Sequence, residues 1–265
     1  MLHYLLINFE RPGRNLAAGS SAIVLMIMVW LWPLATRSAN MPPAASAGTH
    51  HTYTTKFPLT ENPIFEDGKW TNGRTDGLDW ANVRTIPGLA FGTEIGGSRP
   101  EPQKYDDSTA LLAGNWGPNQ AVQATVYSVN QNQNDTVWEE VELRLRSSLS
   151  PHRATGYEVM FRCSKIPKAY CNIARWDGPL GKFTYLKNAG GSRYGVANGD
   201  VVKATMIGNV ITVYINGLQM LQTTDNTFKS GNPGMGFFID RATGVNGDFG
   251  FSSFMATDEI GRAHV

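Results

Sequence analysis

The stretch that decides the fold is GNVITVYING at residues 208–217, followed by LQMLQTT at 218–224. Asn216-Gly217 stands between two runs that alternate apolar and polar residues, and Asn-Gly in that setting is the strongest short-range sign of a β-hairpin. Gly208-Asn209 marks the turn before it. Three strands therefore follow one another as a meander: Asp200 to Ile207, Val210 to Asn216 and Leu218 to Thr224.

The two-residue period continues outward in both directions. Val137 to Arg146 (VWEEVELRLR) puts Val141, Leu143 and Leu145 on one face and Glu140, Glu142, Arg144 and Arg146 on the other. Gly156 to Cys163 and Cys171 to Trp176 read as two further strands around a short loop containing Pro167. Met235 to Asp240 and Phe249 to Ala256 read as closing strands. With about a dozen short strands and no helical period, the chain is expected to be all-β, a sandwich or jelly roll. Composition agrees. Charged residues are 17 % of the chain, against about 25 % in an average soluble domain. The 28 glycines suit the turns of an extracellular β protein.

Both ends are expected to lie outside the fold. Arg11 and Arg14 flank an apolar run from Ala22 to Trp32, and Ala45-Ser46-Ala47 matches an A-x-A cleavage site. That run is shorter than the ~20 apolar residues that span a bilayer. Residues 1–47 therefore read as a signal peptide, with an uncleaved N-terminal anchor as the alternative. Gly48 to Thr55 reads as a linker, and 56–258 as one domain. Glu259 to Val265 (EIGRAHV) matches the translation of a common short-read sequencing adapter and is set aside as an artefact.

Removing Arg11, Arg14, Arg37 and Glu10 with the leader, and Glu259 and Arg262 with the tail, takes the net charge from +1 to −1. A chain this neutral, without a basic block, is not expected to bind nucleic acid. Membrane contact is expected only through an uncleaved leader. The protein is expected to be exported (secreted, periplasmic or at the cell surface) and monomeric.

The run from Gly208 to Gly217, together with TDNTFKSGNPGMGF at 224–237, resembles the C-terminal half of a concanavalin A-like domain. Trp70, Gly114-Asn115-Trp116 and Gly156-Tyr157-Glu158 sit where such domains often have strand-end aromatics. The superfamily includes laminin-G-like modules, legume-type lectins, glycanases and 3-keto-disaccharide hydrolase-type domains. The resemblance covers most of 56–258 and implies a two-sheet antiparallel jelly-roll sandwich. It leaves activity open, because lectins, enzymes and inert spacers share this fold.

Cys163 and Cys171 flank a segment joining two expected strands of an exported chain, so a disulfide stapling that hairpin is expected. His152 is the sole histidine between the linker and the tail, which excludes a His-rich zinc site, and no G-x-S-x-G elbow accompanies it. Asp106, Asp107, Asp225 and Asp240 are candidate calcium ligands in loops or at strand ends; no cofactor is required, and calcium is left open. Asn134-Asp135-Thr136 matches a glycosylation acceptor, a short pattern common by chance.

Glu140-Val-Glu142-Leu-Arg144 bears on catalysis. Retaining glucanases of the superfamily carry E-x-D-x-E on one strand, which supplies a nucleophile and an acid ~5–5.5 Å apart. Here the third position is Arg144, which cannot exchange a proton near neutral pH. Glu140, Glu142, Arg144 and Arg146 therefore read as exposed pairs on a polar face, worth ~0.2–1 kcal/mol each. The same face is also a candidate ligand surface. Glu142, Arg144, Arg162, Arg175 and Tyr214 would supply polar contacts, with the Arg forks suited to acidic sugars. Trp176 would stack on a sugar ring. The expected function is non-catalytic carbohydrate binding to a polysaccharide or oligosaccharide. The alternatives are a glycoside hydrolase or polysaccharide lyase using Glu140 and Glu142 on the concave face, and a structural or adhesive protein-binding module.

Overall fold

The computed structural model describes residues 50–72, 79–94, 105–129, 138–240 and 245–260. The leader expected over 1–47, the acceptor triplet at Asn134 and residues 261–265 lie outside them. In chain order the strands are β1 (Thr52–Thr55), β2 (Trp70–Asn72), β3 (Val83–Ile86), β4 (Leu89–Gly92), β5 (Ser108–Leu112), β6 (Gln120–Ser128), β7 (Trp138–Ser150) and β8 (Arg153–Arg162). They continue as β9 (Tyr170–Gly178), β10 (Phe183–Gly190), β11 (Val201–Ile207), β12 (Val210–Ile215), β13 (Leu218–Thr224), β14 (Asn232–Asp240) and β15 (Phe249–Thr257). Two 3-10 turns, Ser192–Tyr194 and Asn246–Asp248, and a 3-10 residue at Tyr105 are the helical pieces among the described residues.

The strands form two antiparallel sheets packed as a sandwich. One has the order β10-β9-β8-β7-β14-β5-β2; the other has β13-β12-β11-β6-β15-β4-β3, with β1 added beside β15. The meander is as expected. β11 pairs with β12 and β12 with β13, and the turn at Asn216-Gly217 has both residues at positive φ (50° and 78°), as an Asn-Gly hairpin turn requires. The core lies between the sheets. Val141, Leu143 and Leu145 of β7 and Val159 and Phe161 of β8 share one buried cluster with Val122, Ala124 and Val126 of β6 and Phe249, Phe251 and Phe254 of β15.

Three expectations are corrected. The linker at 48–55 is partly a strand: Thr52 to Thr55 pair with Thr257 to Phe254, and Asp258 accepts from the backbone N–H of His51. The disulfide is absent; Cys163 and Cys171 are both free and buried in the core. The reason is register. Cys171 lies opposite Phe161, so Cys163 is its diagonal neighbour rather than its partner. Diagonal positions are ~7–8 Å apart, beyond the ~4.4–6.8 Å Cα span of a disulfide. Third, Arg146 leaves the charged row. A register shift between Leu145 and Ser148 puts it at φ 45°, and its guanidinium donates to the carbonyls of Pro118, Phe228 and Gly208 instead.

Candidate functional site

The outward-facing row of β7 is where sequence and structure part most sharply. Glu140, Glu142 and Arg144 do alternate with core residues, as the period predicts. They are not exposed, however: their relative exposures are 7 %, 1 % and 3 %. Neighbouring strands cover them. Arg144 lies opposite Glu158 on β8, Glu142 opposite Met160 and Glu140 opposite Arg162. On the other side, Arg144 and Glu142 face Gly234 and Gly236 of β14. The absence of a side chain at Gly236 leaves the room these charges fill: a Cβ there would come 2.2 Å from Glu142 Oε2 and 3.0 Å from Arg144 Nη2.

Arg144 is the hub. Its Nη1 lies 2.5 Å from Glu158 Oε2 and its Nη2 2.6 Å from Glu142 Oε2; Nη2 also donates to Thr109 Oγ1 at 3.3 Å and sits 3.6 Å from Asp107. One carboxylate oxygen from each of Asp107, Glu142 and Glu158 falls within 4.8 Å of the others. Among the described residues these are the ones that could hold a metal ion, and the Arg144 guanidinium already supplies positive charge among them. Glu158 also accepts from the indole N–H of Trp176, and Glu140 accepts from the Tyr170 hydroxyl.

Above this floor lies a cavity of about 60 Å³. Asp107, Glu140, Glu142 and Glu158 line it together with Tyr105, Met160, Trp176, Phe183, Tyr185 and Phe238. The aromatic wall is continuous. Trp176 packs edge-on against Trp80 and tilted against Phe183, and Phe183 contacts both Tyr105 and Tyr185 at about 5 Å between ring centres. Tyr185, 50 % exposed, stands at the boundary. On its other side an open groove of about 550 Å³ is lined by Tyr170, Asn172, Asn188, Lys168 and the Gly190-Gly191 backbone.

Burial sets the protonation of this site. It pushes the Glu140 carboxyl up to about 8, with the Tyr170 hydrogen bond pulling the other way. Burial, with Glu158 close by, also raises Asp107 and Glu142 well above the ordinary carboxylate range. Glu139, which turns inward beside the core, is lifted to about 7 by burial and by Asp248. A folded-state pKa above the unfolded value means that the folded chain holds the proton longer, so stability falls as pH rises through that window. The urea midpoint is therefore expected to decline between about pH 5 and pH 8, and Glu140→Gln to flatten the decline. Identical slopes for Glu140→Gln and the parent would contradict this assignment.

The remaining candidates are dispersed. Arg162 is buried against the face of Trp138, 4.6 Å from its centre, and donates to the Lys168 carbonyl rather than lining the cavity. Arg175 lies on the inner side of β9 and bonds Asp177, Asp225 and Thr227. Tyr157 also donates to Asp225, so this group clamps the two sheets. These bonds outweigh the upward push of burial and hold the Asp225 carboxyl down at about 2. Its stabilising contribution is thus lost only in strong acid. Tyr214 belongs to β12 in the other sheet, over Lys203, and is not part of the site. The four candidate calcium ligands do not converge: Asp107 joins the cavity, Asp225 the clamp, Asp240 lies opposite Trp138, and Asp106 is buried outside the carboxylate cluster. Trp176 was expected to be a stacking platform; its indole instead forms the buried wall, at 3 % exposure.

No family model matches the chain, and no curated protein matches it. Solved structures do. The chain is similar to the CBM2 module of the evolved Dit protein of Lactobacillus casei BL23 phage J-1, with 10 % identity over 78 % of this chain and 96 % of that one, and a TM-score of 0.50. The shared feature is the fold. Other matches are the carbohydrate-binding module CBM66 from Bacillus subtilis (13 % identity, 65 % of this chain and 92 % of that one, TM-score 0.46) and a GlcNAcα1-4Gal-releasing endo-β-galactosidase from Clostridium perfringens (11 % identity, 82 % and 64 %, TM-score 0.46). What the chain shares with the phage module is thus the fold, an all-β sandwich of two antiparallel sheets.

Sequence reasoning named Glu140, Glu142, Arg144, Trp176 and Asp107 but missed Tyr105, Tyr170, Phe183 and Tyr185. Phe183-x-Tyr185 carries the period-two signal. Its meaning depends on register, because Phe183 lies opposite Trp176 and Tyr185 opposite Ala174.

Proposed function

We propose that this domain binds carbohydrate on the outer face of the seven-stranded sheet, across Tyr185. The observation that carries the reading is the pairing of surfaces on either side of that ring. One is a carboxylate cavity walled by aromatics; the other is an open groove bearing Asn172, Asn188 and the Gly190-Gly191 backbone. A half-exposed aromatic face flanked by amide and carboxylate acceptors suits the alternating C–H and O–H surfaces of a sugar. Similarity of fold to a carbohydrate-binding module supports the same reading.

In titration calorimetry of the full chain against a panel of oligosaccharides, Tyr185→Ala is expected to weaken binding about tenfold, the loss of one stacking contact of ~1.4 kcal/mol. A panel with no binder, or an unchanged affinity in Tyr185→Ala, would overturn the proposal.

One observation favours a second reading, hydrolysis. Glu140, its carboxyl pushed up to about 8 by burial, lines a cavity with Glu142 and Glu158, and a carboxyl that holds its proton at neutral pH is the proton donor that glycoside cleavage requires. Product formation that disappears in Glu140→Gln would establish it; binding without products would leave the non-catalytic reading.

A further inference from the structure

We propose that the processed chain carries a copper(II) site at its new N-terminus, built from the α-amine of Gly48, the amide nitrogens of Thr49 and His50, and the imidazole Nδ1 of His50. The site is separate from the sugar-binding face. It rests on the expected cleavage after Ala47 and on how the fold treats the two histidines that follow.

The sequence supplies the donors. Cleavage at Ala45-Ser46-Ala47 leaves Gly48-Thr49-His50-His51 with a free amine on Gly48. A histidine third from a free amine offers four nitrogens in succession along one short stretch of chain: amine, amide, amide and imidazole. The chelate rings they close share edges and hold the nitrogens in one plane. Square-planar nitrogen ligation selects copper(II) or nickel(II), and copper(II) is bound more tightly. Zinc, which takes tetrahedral sites, does not suit this donor set. Both amide nitrogens carry a proton that the metal can displace, as a proline nitrogen would not.

The fold separates the two histidines. His51 is committed: its backbone N–H donates to Asp258 Oδ1 at 2.5 Å, its Nδ1 lies 3.0 Å from Asp258 Oδ2, and its ring packs on Trp116 with centres 5.4 Å apart. His50 is not. Its side chain is 41 % exposed, its Nδ1 stops 3.8 Å from Asp258, beyond hydrogen-bond reach, and its amide N–H donates to no described residue. Both atoms that His50 contributes are therefore available, while the residue after it is fixed to the fold. The strand that follows, β1, belongs to the eight-stranded sheet, and Tyr185 to the other.

Charge follows from the donors. Copper(II) brings two positive charges, each amide gives up one proton, and the ammonium gives up a third. Binding therefore releases protons and tightens as pH rises.

The test uses the chain exported with its own leader. Edman sequencing reads the mature N-terminus, and copper(II) sulfate is titrated in while visible absorbance and electron paramagnetic resonance are followed. Gly48 is expected at the N-terminus, with a single copper(II) per chain in a square-planar spectrum that excess zinc(II) does not displace. Thr49→Pro removes one amide proton and leaves every side-chain donor in place. It should abolish the square-planar complex, as should His50→Ala, whereas His51→Ala should retain it. An intact leader, a start other than Gly48, or a square-planar complex that survives Thr49→Pro overturns the inference. Each of these outcomes leaves the sugar-binding reading to its own calorimetry.

Discussion

Arg144→Met is expected to cost the domain 3–5 kcal/mol, the range for breaking a buried ion pair from one side. The guanidinium is 3 % exposed and faces Glu158 at 2.5 Å and Glu142 at 2.6 Å. Met fills much of the volume but leaves two buried carboxylates without their shared cation. Had the row been solvated, as its alternating charges suggest, the same substitution would cost under ~1 kcal/mol. Urea unfolding separates the two outcomes. The cost should be largely recovered when Glu142→Leu and Glu158→Leu are added, because replacing a whole buried ionic cluster with apolar groups is often neutral. A loss below ~1 kcal/mol for Arg144→Met would mean that the hub does not exist in solution.

The second large effect is expected at the bulge that diverts Arg146. Gly231 has φ 131°, and a Cβ there would sit 2.4 Å from the Arg146 carbonyl and 2.8 Å from the Ser147 nitrogen. Backbone cannot yield as a flexible side chain can. Gly231→Ala therefore combines a forbidden conformation, ~1–3 kcal/mol by itself, with a clash against main chain, and several kcal/mol are expected in total. Gly88→Ala is the control. Gly88 also has positive φ, at 86°, but nothing lies within 4 Å of its Cβ position, so only the ~1 kcal/mol conformational cost applies. Thermal melts should rank the two clearly. Equal melting temperatures would show that the bulge relaxes around the added methyl group.

The sandwich was legible because alternation and Asn-Gly turns are local signals. Leu218 to Thr224 forms β13 over the same residues the sequence suggests, and Val141, Leu143 and Leu145 face the core as their spacing requires. The outer face was not legible in the same way. Alternation assigns Glu142 and Arg144 to one side of the sheet; whether that side meets water depends on which strands lie alongside and on what lies over them. Gly234 and Gly236 opposite Arg144 and Glu142, and Phe183 and Tyr185 on β10, are long-range facts of pairing. The cysteines show the same limit: their sequence separation suits a hairpin staple, and a two-residue offset in register makes them diagonal neighbours. Arg175 and Tyr214 were placed on the right strands but assigned to the wrong face or sheet.

The most direct test of the central claim is a crystal structure of the full chain soaked with the tightest-binding oligosaccharide from the panel. The account predicts sugar density packed on Tyr185, spanning the groove of Asn172 and Asn188 and reaching Asp107 and Glu142. Density on the opposite sheet, over Tyr214 and Lys203, with the Tyr185 face empty, would contradict it.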